Sequence, residues 1–216
     1  MEINLSTVSV VIPTVRDQVL TLKSLEGLPV EVVIERTKNV SKARNIGVTR
    51  CHGEIVVVMD DDLAFPREWF EYYVRRVRLG FAFWNDPPFI LFVTKDDYLR
   101  AGGFDENITM DGECYELFLA IESVGVVMAK LNMKPVVHLI KSTTDPLRNT
   151  FKEDWQGWKH ATLSWTRYKP KRKWWKVILW IKDPRTLFKI FFLVIWWSLK
   201  GGQERKGLQQ NQKDTQ

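Results

Sequence analysis

Cysteine is scarce in this 216-residue chain, and the two present, Cys51 and Cys114, lie far apart. They form no C-x-x-C pair and no metal-ligand cluster, so a disulfide scaffold and a zinc module are both excluded. A reduced, intracellular setting is the expectation. No basic segment followed by a small-residue cleavage site opens the chain, so no secretory signal is expected. Internal repeats are absent. Tryptophan is nearly missing from the first 150 residues, where only Trp69 and Trp84 occur, although the chain has ten. The other eight lie between Trp155 and Trp197. That asymmetry divides the chain in two.

Hydrophobic residues make up 45%, enough for a real core and too many for a disordered chain. The length fits one domain, or one domain with an appendage. A formal net charge of +6 calls for an anionic partner: nucleic acid, a nucleotide phosphate or an anionic membrane.

The pattern alternates between strands and helices. Residues 8–12 (VSVVI), 30–34 (VEVVI), 55–59 (IVVVM) and 89–94 (FILFVT) read as strands, with two further candidates at 126–131 and 135–140. The unbroken apolar run 55–59 is typical of a parallel strand covered on both faces. Helical spacing marks 17–26, 66–79 and 113–124; a helix over 42–51 is capped by Ser41 and stopped by Gly53, and a short one is expected near 95–101. Such alternation predicts an α/β domain with parallel strands at its heart.

In open α/β sheets ligands bind beyond the carboxyl ends of the strands. Polar groups follow those ends here: Pro13, Thr14 and Arg16 after the first strand, Glu35 after the second, Asp60, Asp61 and Asp62 after the third, and His138 near the last. Three consecutive carboxylates repel one another unless a cation or donors compensate. A divalent cation bridging a diphosphate would do so, because Mg²⁺ and Mn²⁺ favour a few carboxylates plus phosphate oxygens. Read alone, the run is equally an acidic turn that caps the next helix.

The segment ARNIGVTRCHGEIVVVMDDDLAFP at 43–66 resembles the core of the family-two glycosyltransferases. There an Arg-Asn-x-Gly helix leads to Gly-Glu, a hydrophobic strand and a D-x-D motif. VSVVIPT at 8–14 is similar to the family's first strand, GGFDE at 102–106 to its acceptor-side loop, and GECYELFLAIESVG at 112–125 to its base-bearing helix. The resemblance covers roughly residues 6–140 and implies a GT-A (Rossmann-like) mixed, mainly parallel sheet with helices on both faces. It also implies an inverting transfer from a nucleotide-diphosphate sugar with Mn²⁺ or Mg²⁺.

Roles follow at the matching positions. Pro13, Thr14, Glu35, Arg44, Asp60 and Asp61 fall on the donor side, with Asp61 as spacer of the D-x-D pair and Glu35 standing where Asp is more usual. Asp62, Asp60 and His138 would hold the metal, although a lone strand histidine is more often structural. Gly102, Gly103 and Asp105 fall on the acceptor side, the glycines allowing close backbone approach or positive φ. The family's helix opens Glu-Asp and this one opens Glu113-Cys114, so the usual base is missing. A thiol with an ordinary pKa near 8.5 is a poor replacement. Glu113 ranks first as the substitute and Asp111 second; an already ionised phosphate acceptor would need neither. Glu116 is assigned to the supporting helix face.

Beyond residue 150 the composition turns to tryptophan and lysine. Lys169, Lys171, Arg172, Lys173 and Lys176 accompany Trp174 and Trp175, and Asp183-Pro184 opens a helix closed by Gly201-Gly202. A helix over 184–200 would be about 25 Å long, short of the roughly 30 Å hydrocarbon core. Trp and Lys beside aliphatic residues suit a helix lying in the headgroup region; packing on the catalytic domain or on a second subunit is the alternative. The expected organisation is a catalytic domain at 1–150, membrane-surface amphipathic helices at 151–202, and a polar tail at 203–216.

The expected enzyme is therefore peripheral, on the cytoplasmic face of a membrane, with a lipid-linked or glycan acceptor; a homodimer is compatible with the sequence. A nucleotide-sugar-binding or scaffold protein with impaired catalysis is the alternative that Cys114 raises. Nucleic acid ranks last as a partner, because the basic excess sits beside an aliphatic helix and not along a polar groove.

Overall fold

The computed structural model describes residues 4–86, 89–107 and 113–140. Asp111, the segment 151–202 with its expected helices, and the tail 203–216 lie outside the described residues, as does the boundary at 150.

The first strand, β1 (Val8–Pro13), leads through bends and the one-turn helix α1 (Leu22–Leu25) to β2 (Glu31–Glu35). Helix α2 (Val40–Arg50) returns the chain to β3 (Ile55–Met59). Then come β4 (Leu63–Ala64), α3 (Arg67–Val77), β5 (Phe81–Asn85), β6 (Ile90–Thr94), α4 (Lys95–Arg100), α5 (Glu113–Ser123), β7 (Val127–Lys130) and β8 (Val137–His138). The main sheet has the order β2-β1-β3-β6-β5-β7, and β4 with β8 forms a separate two-stranded ladder. β1 runs parallel to both β2 and β3, β6 is antiparallel to β3 and β5, and β5 and β7 are parallel. The sheet is mixed and mainly parallel, as expected.

Side-chain alternation on the buried strands divides the core in two. Val8, Val10, Ile12, Val57, Met59 and Phe92 face one layer, which Trp69, Phe70, Tyr73, Val74 and Val77 of α3 close. Val11, Val56, Val58, Leu91 and Val93 face the other, which Val48, Tyr98, Leu117, Phe118 and Ile121 cover from α2, α4 and α5. Burial on both faces explains why β3 is an unbroken apolar run.

Several details differ from the sequence reading; α2 is capped by Asn39, whose side chain accepts from the Lys42 amide, and Ser41 lies inside the helix. The helix expected over 17–26 shrinks to the single turn of α1, because Thr21 is used elsewhere: its hydroxyl donates to the Asp60 carbonyl (2.9 Å) and accepts from the Leu63 amide (2.8 Å). β5 was not foreseen; it is as long as β3, but FAFWN lacks the unbroken aliphatic run that marked β3. The strand expected at 135–140 contracts to β8, whose partner β4 is only two residues long.

The order β2-β1-β3 matters for the site. From β1 the chain moves to one side and then crosses by α2 to the other, so the strand order reverses at β1. A crevice opens at such a reversal, beyond the carboxyl ends of the strands.

Two glycines set how closely the chain packs under this crevice. A methyl at Gly47 of α2 would overlap Val11 Cγ1 of β1, a side chain. A methyl at Gly53 would meet the Ser9 hydroxyl at 2.5 Å and also main chain, 2.6 Å from the Ser9 nitrogen and 2.8 Å from the Thr7 oxygen. Side chains repack more readily than a buried strand moves. Gly53→Ala is therefore expected to lose about 2 kcal/mol or more in chemical denaturation, and Gly47→Ala less. The reverse ranking would contradict the packing described.

Candidate functional site

The acidic turn 60–62 follows β3 directly, and each carboxylate has its own set of partners, with Arg16 common to two of them. Asp60 Oδ2 accepts from the Phe89 amide (2.8 Å) and Oδ1 lies 3.7 Å from Arg44 Nη2. Asp61 accepts from the Thr14 hydroxyl and, through Oδ1, from Arg16 Nη1 (2.7 Å). Asp62 Oδ2 accepts from the same Nη1 (3.1 Å), and its Oδ1 is 2.9 Å from His138 Nε2. The Asp61 and Asp62 side chains are largely buried, while that of Arg16 is 48% exposed.

The β4–β8 ladder brings His138 here. It pairs Leu63 with His138, and the Leu139 amide donates to the Asp62 carbonyl (2.8 Å). A histidine 76 residues away in sequence is thus aligned with Asp62 by main-chain bonds alone.

Arg44 reaches the acidic turn from α2. The residue is 4% exposed, with its guanidinium carbon 4.0 Å from the centre of the Phe89 ring and 4.8 Å from that of Phe104. Nη1 is 3.6 Å from Glu113 Oε1 and 3.7 Å from Cys114 Sγ. One buried cation thereby joins Asp60, at the end of β3, to Glu113, at the start of α5. Its Nε has no hydrogen-bond partner among the described residues.

Next in sequence, Asn45 uses all four of its hydrogen-bonding positions. Its oxygen accepts from the Phe104 amide and the Tyr98 hydroxyl (both 2.9 Å), and its nitrogen donates to the Phe104 carbonyl (3.0 Å) and Glu106 Oε1 (2.9 Å). It clasps the loop 102–106. Sequence reasoning left Asn45 without a role; its place beside Arg44 on a buried helix face was the available signal.

The other expected site residues fall as follows. Gly102 and Gly103 both have positive φ (81° and 62°) and end α4, with amides donating to the Leu99 and Tyr98 carbonyls. Asp105 is buried and accepts from the amide and side chain of Asn107. Glu35 is buried too. Its Oε1 accepts from the amides of Arg36 and Thr37 and the Thr37 hydroxyl, and its Oε2 lies 2.6 Å from Arg50. Pro13 and Thr14 end β1 against Glu35 and Asp61, and the Thr14 amide donates to the Glu35 carbonyl (2.9 Å). Glu116 is fully buried.

Two ionisations are strongly shaped by this setting. Burial raises the Asp60 carboxyl to about 6; Arg44 and the Phe89 amide pull it down, and Asp62 and Asp86 add to the rise. Burial also pushes the Cys114 thiol well above its ordinary range, against the pull of Arg44. Cys114 therefore stays a neutral thiol and cannot take a proton at neutral pH.

No group of three or more His, Cys, Asp or Glu side chains clusters as a metal cage among the described residues. A diphosphate-bridging divalent cation does not need one, since it keeps several waters and takes one or two protein ligands plus phosphate oxygens. The touching pair Asp62 and His138 fits that requirement. The Asp60 carboxylate is committed instead to Arg44 and the Phe89 amide.

The model of glycosyl transferase family 2 matches residues 10–99, the span that holds β1, α2 and the acidic turn. This segment is similar to glycosyl transferase family 2. The fold around it is GT-A: a mannosyltransferase from Pyrobaculum calidifontis, in complex with GDP-mannose and Mn²⁺, superposes with a TM-score of 0.57 at 14% identity, covering 97% of this chain and 80% of that one. A Drosophila beta1,4-galactosyltransferase 7 with manganese, UDP-galactose and xylobiose gives 0.49 at 15% identity over 69% and 78%, an overlap too partial to add to the fold assignment. No curated protein matches the chain significantly.

The raised Asp60 carboxyl makes folding stability depend on pH. The unfolded carboxyl loses its proton near 3.8, the folded one near 6. Between those values the folded state holds more protons, so stability falls as pH rises, and the full penalty applies above 6. Asp60→Asn is expected to raise folding stability at pH 7.5 by about 1 kcal/mol or more, with the gain shrinking toward pH 4. Denaturant unfolding at the two pH values checks this; an equal effect at both would contradict it.

Proposed function

We propose that the chain is a metal-dependent glycosyltransferase that moves a sugar from a nucleoside-diphosphate donor to an acceptor hydroxyl with inversion. The observation that carries the proposal is the joining of Asp62 to His138 at the strand-order reversal, beside Thr14 and across from Glu113. The match of residues 10–99 to the model of glycosyl transferase family 2 supports the same chemistry.

Asp62 and His138 would hold Mn²⁺ or Mg²⁺, which when bound neutralises charge on the departing nucleoside diphosphate. The protein's own groups do the rest. Thr14, at the end of β1, sits where the base and ribose of the donor are expected. Asp60, held by Arg44 and the Phe89 amide, faces the ribose. Glu113 takes the acceptor's proton; Arg44, 3.6 Å away, fixes where its carboxylate lies. A single carboxylate acting opposite the departing diphosphate leads to inversion. Asp111 remains the second choice of base and lies outside the described residues.

The acceptor we propose is lipid-linked, with the enzyme peripheral on the cytoplasmic face of a membrane. The Trp- and Lys-rich composition of 151–202 motivates this, since such segments favour the headgroup region. Among the described residues no helix is long and apolar enough to cross a membrane. A nucleotide-sugar-binding protein without turnover is the second reading. Cys114 favours it, because a buried neutral thiol stands where a base is usual.

The test is turnover of a panel of nucleotide sugars with Mn²⁺ or Mg²⁺, with and without extracted lipid, following released nucleoside diphosphate. Asp62→Ala is expected to abolish metal-dependent release. Glu113→Gln should lower kcat by about 100-fold or more while donor binding persists. Donor binding with no release under any lipid condition would favour the second reading.

A further inference from the structure

Arg16 sits in the bend after β1 and carries no role in the chemistry above. Its Nη1 donates to two carboxylates at once, Asp61 Oδ1 at 2.7 Å and Asp62 Oδ2 at 3.1 Å. The carboxylates are fixed and largely buried, whereas the guanidinium is about half in solvent. The neighbouring bonds hold the main chain of this bend: the Arg16 amide donates to Thr14 Oγ1 (3.0 Å), and Arg36 Nη1 donates to the Arg16 carbonyl. The backbone is thus anchored, while the long side chain can turn about its own bonds.

We propose that Arg16 is a resident counter-cation of the acidic turn, exchanged for the divalent metal and handed over to the donor's diphosphate. The proposal rests on the donor-site reading. Two adjacent buried carboxylates need compensation, and among the described residues Arg16 is the cation that touches both. A divalent ion on Asp62 makes that contact repulsive, because a guanidinium and a doubly charged ion would share one carboxylate. Arg16 then keeps Asp61 as its tether. Its remaining N–H donors turn to the diphosphate, whose oxygens match the planar guanidinium fork. The exchange places one positive charge on the protein side of the diphosphate and links metal and diphosphate binding: each favours the Arg16 position that the other requires.

The experiment measures a binding cycle on the full chain by calorimetry: Mn²⁺ alone, UDP and GDP each alone, and Mn²⁺ in the presence of whichever nucleotide binds. Arg16→Gln removes the competitor, so Mn²⁺ alone should bind about 3- to 10-fold tighter. The same variant should bind the diphosphate about 10-fold more weakly, and the gain in Mn²⁺ affinity caused by nucleotide should shrink by a similar factor. Arg16→Lys keeps the charge without the fork, so Mn²⁺ affinity should stay near that of the native chain while diphosphate affinity falls. Unchanged or weaker Mn²⁺ binding in Arg16→Gln would overturn the exchange, with the donor site intact. Failure of the native chain to bind Mn²⁺ and either nucleotide would overturn the donor-site reading, and this proposal with it.

Discussion

The structure turns on the compensation of three consecutive carboxylates at the end of β3. Side by side and mostly buried, they would be unstable without partners. They are met by groups from several parts of the chain: Asp60 by Arg44 of α2 and the Phe89 amide ahead of β6, Asp61 by Thr14 and Arg16 after β1, Asp62 by the same Arg16 and by His138 of β8. The turn therefore draws together β1, α2, β6 and β8, and local charge balance specifies the tertiary arrangement of the site. A donor diphosphate and its metal would enter a place already organised around charge.

Helix α2 links this turn to loop 102–106 and to the start of α5. Two adjacent residues divide the work, since Arg44 reaches Asp60 and Glu113 while Asn45 saturates its hydrogen bonds on loop 102–106. Gly47 lets the helix lie against β1 closely enough for both to reach. The Arg-Asn-x-Gly pattern is thus a positioning device, with a charge, a clasp and a close contact on one buried face. Cys114 fits the same environment as a neutral, space-filling thiol against Arg44, and Glu113 is left as the carboxylate at the mouth of α5.

Much of the fold was legible. The apolar run of β3 announced burial on both faces, and the strand–helix alternation gave the sheet. What escaped were features set by long-range partners. β5 is a short strand stabilised by β6 and β7, and β4 and β8 are two residues each, defined only by their pairing. The turn before α1 is bent because Thr21 bonds to the acidic turn 39 residues later. Among site residues, Asp62 and His138 were anticipated and do meet. The commitment of Asp60 to Arg44, the clasp of Asn45 and the double ion pair of Arg16 were not, because each depends on which side chains the fold brings within reach.

The central claim is that Asp62 and His138 together hold the divalent ion that meets the donor diphosphate. Electron spin-echo spectroscopy of Mn²⁺ bound to the full chain with a nucleoside diphosphate tests it directly. The account predicts a nitrogen coupling from one imidazole, lost in His138→Gln, together with phosphorus couplings from the nucleotide. Bound Mn²⁺ with phosphorus couplings and no imidazole nitrogen, or a nitrogen signal that survives His138→Gln, would contradict it.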